Sequence, residues 1–590
     1  MRPTIVKDNH ALPSNLTILK FGGSVLRDAQ AVHSAAHEIY RYIRRGEKVI
    51  AVVSAISGET DALDAMARDI GGSQNAPGKA SLLRLGEIRA AALLALALER
   101  VGVDARAVDP AEIDLRAEGR PDDAGLCGLD HGRLAELLEQ HDVLIVPGFS
   151  GVLENGQPAL LGRGGTDLSA VYLGVALKAK RVRLIKDVDG LYAGDPKSDA
   201  NPRRFDQINW QDAREICGQS IQGHALEYAQ KHNLCLEIAA SARRFDTRIA
   251  PNASLSHARA DTRKLKVALL GFGTVGEGVY AHLVRHSDLF EVSGILVRDA
   301  AKERDSAAPA HLISTDAGEV FATRPDIVVE MIGGVDAADA FIQNAFFGGA
   351  DVVSANKAVM AANFDVLQAA AARAGRALRY SAAVGGGVPM LESLDLAREE
   401  SGVVAVQGVI NGTANFILDR LAENCPFDDA VREAQEKGFA EADPSADLDG
   451  DDAAAKLCLM ARHGFDTPLR ASQISMESLS DLSQDRIDAA RDAGKVIRQI
   501  SEIRRDEKGA LSASVSLKTI AADHYLAGAK GEQNRLVIDG KNGQKLALRG
   551  KGAGRWPTAE AVMADLLDIH RLRGQFEETV SVRAAEPACA

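Results

Sequence analysis

A short apolar run, Val267–Leu270, enters Gly271-x-Gly273-x-x-Gly276 and leaves it into a helical pattern near the middle of the chain. This order of strand, glycine turn and helix constrains the fold more than any other stretch. Gly271 permits the tight turn, Gly273 lets the backbone approach a pyrophosphate, and Gly276 lets the helix pack on its strand. The amides at the start of the helix then face the phosphates. The expected dinucleotide contacts are Gly271, Phe272, Gly273, Thr274, Val275 and Gly276. A unit of this kind opens its domain, so a complete fold is expected ahead of residue 266.

The length of 590 residues leaves room for that fold and more. A net charge of -13 argues against non-specific binding to nucleic acid or anionic membranes, because no basic face dominates. No apolar run reaches the roughly 20 residues of a membrane span, and the first residues carry no apolar signal core. A cytoplasmic enzyme of small molecules is expected, with no nucleic-acid partner and no membrane. Cys127, Cys217, Cys235, Cys425, Cys458 and Cys589 show no ligand spacing and read as reduced thiols.

The first half alternates strand-like stretches (17–21, 49–54, 143–147, 181–185) with helix-like ones (29–44, 81–98, 168–178), which predicts an α/β fold on a mostly parallel sheet. The pattern lapses into a polar stretch broken by Pro251, read as a linker over 243–264. After the glycine loop, strand-like 291–297, 326–330 and 351–354 alternate with Ala-rich helices, as a doubly wound nucleotide domain requires. The expected layout is a first domain over 16–242, a Rossmann domain over 265–380 completed by about 548–575, and an α+β substrate and dimerisation domain over 381–547. The final eight residues read as a frayed tail.

Lys20-Phe21-Gly22-Gly23-Ser24 follows a strand directly and sets a cation, two flexible amides and a hydroxyl at its C-terminal edge. Gly162-Arg163-Gly164-Gly165-Thr166-Asp167 opens a helix, and Lys186-Asp187-Val188-Asp189-Gly190-Leu191-Tyr192 follows another strand. With 52–61, Leu85-Gly86-Glu87 and 146–152, these pieces stand in family order and resemble the amino-acid kinase family, within it the aspartate kinases. The resemblance implies ATP with Mg²⁺ and aspartate as substrates. Lys20 and Asp167 would be catalytic, and Thr60, Glu87, Arg163 and Thr166 would hold aspartate. Gly22, Gly23, Ser24, Lys186, Asp187, Tyr192, Asp195 and Lys197 would line the nucleotide site. The physics agrees: a carboxylate suits the ammonium, and a guanidinium fork suits the α-carboxylate, leaving the β-carboxylate to attack the γ-phosphate. The chain departs from the family at Val25, where a second hydroxyl is usual, and over 221–224, where Leu-His-Pro is usual.

In the second half, Arg298 and Lys302 after the second strand suit a 2′-phosphate, which favours NADP over NAD. Downstream, the stretch from Glu441 to Lys456 packs Asp447 and Asp452 around a turn and ends on a helix, where Asp452 and Lys456 lie one turn apart. The apolar flanks of that helix argue against an idle surface pair. With Lys357, Val384-Gly385-Gly386-Gly387-Val388-Pro389 and the 411–418 stretch, the order resembles homoserine dehydrogenase over 266 to about 570. That resemblance implies Lys456 as proton donor and Lys357 as a second cation. It implies Glu441, Asp447 and Asp452 as substrate contacts, and Gly438 and Gly552 with Lys357 beside the cofactor. It also implies a sodium ion on the carbonyls of Val384, Gly386 and Val388, although the usual glutamate is here Ser381.

Together the halves resemble a fusion of aspartate kinase and homoserine dehydrogenase without the paired ACT regulatory domains usual between them, expected as a homodimer or homotetramer. The competing reading is a dehydrogenase whose kinase-like half serves as a binding or assembly module.

Overall fold

The computed structural model describes residues 12–71, 77–162, 164–194, 203–217, 221–243, 245–252, 254–258, 263–306, 308–441 and 443–585. Two compact units divide the chain, 1–261 and 262–590.

In the first unit the strands Leu16–Phe21, Lys48–Val53 and Val143–Pro147 are rich in Val, Ile and Leu and buried almost throughout. Such runs are apolar on both faces because helices cover both faces of a parallel sheet. Among the described residues they lie in a nine-stranded sheet, six strands of which run to one edge in the order Leu236–Ala240, Arg181–Lys186, Leu16–Phe21, Lys48–Val53, Val143–Pro147, Ala105–Ala107, all parallel. The first strand has neighbours on both sides, so the carboxyl ends of Leu16–Phe21 and Arg181–Lys186 open a crevice. The expected helix over 81–98 is two helices, Pro77–Leu83 and Leu85–Val101, meeting at Arg84.

The expected linker over 243–264 is corrected. Asp246–Ile249 pairs with Leu236–Ala240, and Leu255–Ala258 pairs with Arg203–Ile208, so both are strands of the first sheet. Alternation was hard to see there because these are short strands at the outer end of the sheet, broken by Pro251.

In the second unit all six strands of the nucleotide sheet are parallel, in the order Ile313–Ser314, Phe290–Leu296, Leu265–Leu270, Ile327–Glu330, Asp351–Ser354, Leu378–Arg379. The switch crevice lies between Leu265–Leu270 and Ile327–Glu330. The long helix Arg555–Ala585 returns to pack on Thr274–Arg285 so closely that a Cβ on Gly278 would stand 2.9 Å from the Ala559 Cβ. A second, six-stranded sheet carries Val403–Val409, Lys495–Arg505, Leu511–Ala521, Gln533–Gly540 and Lys545–Lys551 antiparallel, with Ser475–Met476 on its edge. Residues 548–551 therefore belong to this sheet and not to the Rossmann domain, whose completion begins after them. Residues 583–585, expected as tail, still lie in the last helix, and the remainder of that stretch falls outside the described residues.

Candidate functional site

The densest charge in the second unit gathers on one carboxylate. Asp452, in the first turn of Asp451–Phe465, is buried, and the same helix buries Ala453, Ala454, Leu457 and Met460 in the core. One Asp452 oxygen meets the Lys357 Nζ at 2.5 Å, and the other meets the Lys456 Nζ at 2.8 Å. The Asn411 amide donates to Asp452 at 2.9 Å and to Asp447 at 2.8 Å, while its oxygen caps the helix Gly412–Ala422. Burial pushes the Asp452 carboxyl up, but the two ammonium groups outweigh it and hold the group well below the usual carboxylate range. Burial works against the charge on Lys357; Asp452, Asp447 and Glu441 together raise its pKa all the same.

Lys456 spends two of its three N–H donors, one on Asp452 and one on the Ile410 carbonyl at 2.8 Å. The third remains for a reacting oxygen. Lys357 starts the helix Lys357–Ala374, directly after the strand Asp351–Ser354, and its side chain is 47% exposed. Glu441 is exposed and Asp447 half-buried.

The glycine loop has the predicted shape. Gly271 takes φ +104°, and a Cβ there would stand 2.7 Å from the Met331 carbonyl oxygen. Gly273 has open space where a side chain would be, at the start of Thr274–Arg285, which leaves its backbone accessible to a phosphate. Phe272 stays in this turn, buried with its ring edge-on to Tyr280, while Thr274, Val275 and Gly276 form the first turn of the helix. Arg298 and Lys302 are exposed. One carboxylate oxygen of Asp299 accepts the Ala301 N–H at 2.8 Å. Arg304, which the sequence reading missed, donates to the carbonyls of Phe272, Lys302 and Asp299 and so ties the loop to the basic turn. Gly438 takes φ +76° just after the helix Phe427–Glu436, a helix-ending conformation that favours glycine whatever it contacts.

In the first unit a cavity of about 1020 Å³ opens at the expected crevice. It brings together Lys20, Gly22, Gly23, Ser24, Asp167, Lys186, Asp187 and Tyr192. Asp167 is buried between Lys20 at 2.7 Å and Lys186 at 3.2 Å. Burial raises its pKa, and the two lysines overcome that and lower it. The Tyr192 hydroxyl donates to Asp189 at 2.6 Å. Gln222, in the segment that departs from the family, also lines the cavity.

Glu87 and Thr60 gather apart from that cavity lining. Glu87, in the first turn of Leu85–Val101, is 3% exposed. One oxygen accepts the Ala55 N–H at 3.1 Å, and the other has no hydrogen-bond partner among the described residues. Burial pushes its carboxyl up to about 7, the Ala55 amide opposing and Glu59 adding. Thr60 lies in the first turn of Glu59–Asp69, and Thr166 is buried in the first turn of Gly165–Ala176. Arg163, Asp195 and Lys197 fall outside the described residues.

Comparison with known proteins decides the family. Residues 389–567 match the homoserine dehydrogenase family, 271–381 match the homoserine dehydrogenase NAD-binding domain, and 15–249 match the amino acid kinase family. A homoserine dehydrogenase from Corynebacterium glutamicum is 35% identical over 319 residues, spanning 52% of this chain and 72% of that protein. One from Synechocystis is 36% identical over 317 residues, spanning 52% and 73%. The chain belongs to the homoserine dehydrogenase family. A solved homoserine dehydrogenase from Thiobacillus denitrificans matches at 33% identity with a TM-score of 0.51, over 53% of this chain and 74% of that one. An amino-acid-kinase domain precedes the dehydrogenase portion, and the stretch from 250 to 270 between the two matches holds no ACT domain.

The family's sodium ligands fare less well. Ser381–Gly385 forms a short helix, not an open turn. The Val388 carbonyl accepts the Met390 N–H at 2.8 Å, and the Gly387 N–H donates to the Lys551 carbonyl. Gly386 presses against the Gly552 carbonyl, where a Cβ would stand 2.2 Å away. Ser381 brings no charge, and the buried Asp565 carboxylate accepts the Ser381 N–H at 3.2 Å. Val384 thus lies in the short helix and Gly386 and Val388 in the hydrogen-bonded turn after it, and the carboxylate set against this segment is that of Asp565, not of residue 381.

Proposed function

We propose that this chain is a bifunctional enzyme. Its second unit reduces L-aspartate 4-semialdehyde to L-homoserine, and its first phosphorylates L-aspartate to 4-phospho-L-aspartate with ATP.

The reductase reading is carried by Asp452, one carboxylate that sets two ammonium groups on its two oxygens. A reduced nicotinamide nucleotide supplies the hydride. As negative charge grows on the aldehyde oxygen, Lys456 holds its third N–H toward it and transfers the proton. Asp452 orients Lys456 through their 2.8 Å contact, and Lys357 supplies a second positive charge at the open edge. Glu441 and Asp447 would receive the substrate's ammonium end. The loop at 271–276 fits a dinucleotide, because Gly273 is open and Gly271 allows close approach. The exposed Arg298 and Lys302 suit a 2′-phosphate, and with Asp299 partly engaged in its own turn NADP is the better fit, NAD the alternative. Ser381 brings sodium no charged ligand, so no step is derived through it. Oxidation of NADPH dependent on aspartate semialdehyde tests the reading, with Lys456→Ala as control.

Support for the kinase comes from Asp167 between Lys20 and Lys186 beside a nucleotide-sized cavity, with a buried Glu87 oxygen, unpartnered among the described residues, suited to an ammonium. The lysines would screen charge on the transferring phosphoryl oxygens, with Mg²⁺ entering on the nucleotide. Trapping the acyl phosphate with hydroxylamine, dependent on ATP and aspartate, tests this half. Absence of hydroxamate from protein that still reduces semialdehyde would leave the first unit as a binding module, the reading that Val25 favours.

A further inference from the structure

Glu330 is the last residue of Ile327–Glu330, in register with Leu270, the residue before the glycine loop. Its side chain is fully buried. One carboxylate oxygen accepts the Ile332 N–H at 2.9 Å and the Asn356 amide at 3.3 Å, and the other accepts the Ser354 hydroxyl at 2.7 Å. All three donors are neutral, and among the described residues no ion pair is made to the carboxylate. A buried carboxylate left without a counter-ion is costly, so a strand end that needed only to be filled would be served better by an apolar side chain.

Its contacts lead to both sides of the reaction. On one side they fix the loop 331–334, whose Met331 carbonyl sets the close approach to Gly271 at the cofactor crevice. On the other they fix Asn356, which also donates to the Gly334 carbonyl at 2.7 Å and caps the next helix through Ala358 and Val359. Lys357 is the first residue of that helix. The Ser354 hydroxyl closes the ring by accepting the Asn356 N–H at 3.1 Å.

We propose that Glu330 is a positioning residue for the reduction, holding the cofactor-side loop 331–334 and the Lys357 helix start in one frame through Ile332, Ser354 and Asn356. The proposal rests on the reductase reading of the second unit. A misplacement of about 1 Å costs on the order of 10²-fold in a positioned reaction, and loss of a supporting partner typically costs about 10- to 100-fold.

The test uses the full chain carrying Glu330→Gln, which keeps the shape but turns one of the two acceptor oxygens into a donor, set against either the Ser354 hydroxyl or the Ile332 and Asn356 donors, and Ser354→Ala, a milder variant that removes one donor. Measured together are kcat, the KM for semialdehyde, the Kd for NADPH by fluorescence titration, and the urea midpoint. The expected result for Glu330→Gln is a kcat lowered about tenfold or more with NADPH binding weakened, and a smaller loss of the same kind for Ser354→Ala. Wild-type kcat and NADPH affinity in folded protein of either variant, with only the urea midpoint lowered, would overturn the proposal. If Glu330→Gln does not fold, Ser354→Ala decides by the same two readouts. If the wild type binds NADPH but reduces no semialdehyde, the reductase reading fails by itself, and unaltered NADPH affinity in the variants then overturns the proposal separately.

Discussion

The carboxylate and the lysine one turn apart at the reductase site should fail in different ways when removed. Lys456→Met keeps the length of the side chain and removes one buried charge and its donors. The Ile410 carbonyl loses the Lys456 hydrogen bond, and an unpaired buried acceptor costs about 1–3 kcal/mol. Asp452 keeps Lys357 and Asn411, and removal of a buried ammonium offsets part of the loss. Net destabilisation should be about 1–2 kcal/mol. Turnover should fall about 10²- to 10⁴-fold, the usual worth of a positioned general acid.

Asp452→Ala reverses the balance. It leaves the buried Lys456 without a counter-charge and frees the half-exposed Lys357 to swing into water. Breaking a buried pair from one side costs about 3–5 kcal/mol, here toward the lower end because Lys357 can be solvated. The sign with pH follows from the depressed Asp452 pKa. Its stabilisation is complete above the unfolded carboxyl pKa of about 3.9 and is lost only as pH falls through the lower folded value, so neutral assays see all of it. Urea unfolding followed by circular dichroism, with NADPH oxidation measured on the same preparations, separates the two variants. Turnover of Lys456→Met within a few-fold of wild type would refute the proton-donor role. An Asp452→Ala protein no less stable than Lys456→Met would refute the claim that this carboxylate holds the lysines in place.

Three further outcomes are expected. Lys20→Ala should abolish hydroxamate formation from aspartate and ATP while NADPH oxidation stays at wild-type rate, and parallel loss of both would contradict independent sites. Glu87 binds an ammonium only when ionised, so the KM for aspartate should fall as pH rises through about 7, and Glu87→Gln should raise KM and flatten that profile. The raised pKa also means that stability from the buried neutral acid is full below about 4.5 and lost as pH climbs through about 7, which a urea midpoint of the kinase unit measured against pH will show unless aspartate is present. Gly273→Ala, entering open space at an allowed φ, should leave the urea midpoint unchanged and weaken NADPH binding, whereas Gly271→Ala, at φ +104° and 2.7 Å from the Met331 carbonyl, should lower the midpoint as well.

What the sequence disclosed and what it hid divide along one physical line. Lys20 with its glycines, the loop 271–276 and the Asp452–Lys456 turn were legible because each function resides in neighbours along the chain, where helix and strand periods alone set the geometry. The strands 246–249 and 255–258 were not, since their place depends on pairing with strands far away and their own pattern is too short to show period two.

The same line runs through the reductase site. Asn411 looked like one more polar residue in a glycine-bearing loop, and nothing local says that its amide reaches Asp447 and Asp452 some forty positions on. Asp565 lies 184 positions from Ser381 in the chain, and the fold alone sets its carboxylate on the Ser381 N–H. Lys456 is legible from its neighbours because the carboxylate that binds its charge lies one turn away, whereas Lys20 and Lys357 find theirs on the distant Asp167 and Asp452. A residue that orients a catalytic lysine is free to come from anywhere in the chain that the sheet brings close. Among the described residues, Glu330 at a strand end and Asn411 at a helix cap are of this second kind, so the side chains that decide how accurately Lys357 and Lys456 are aimed should be sought at such positions as well as beside the lysines.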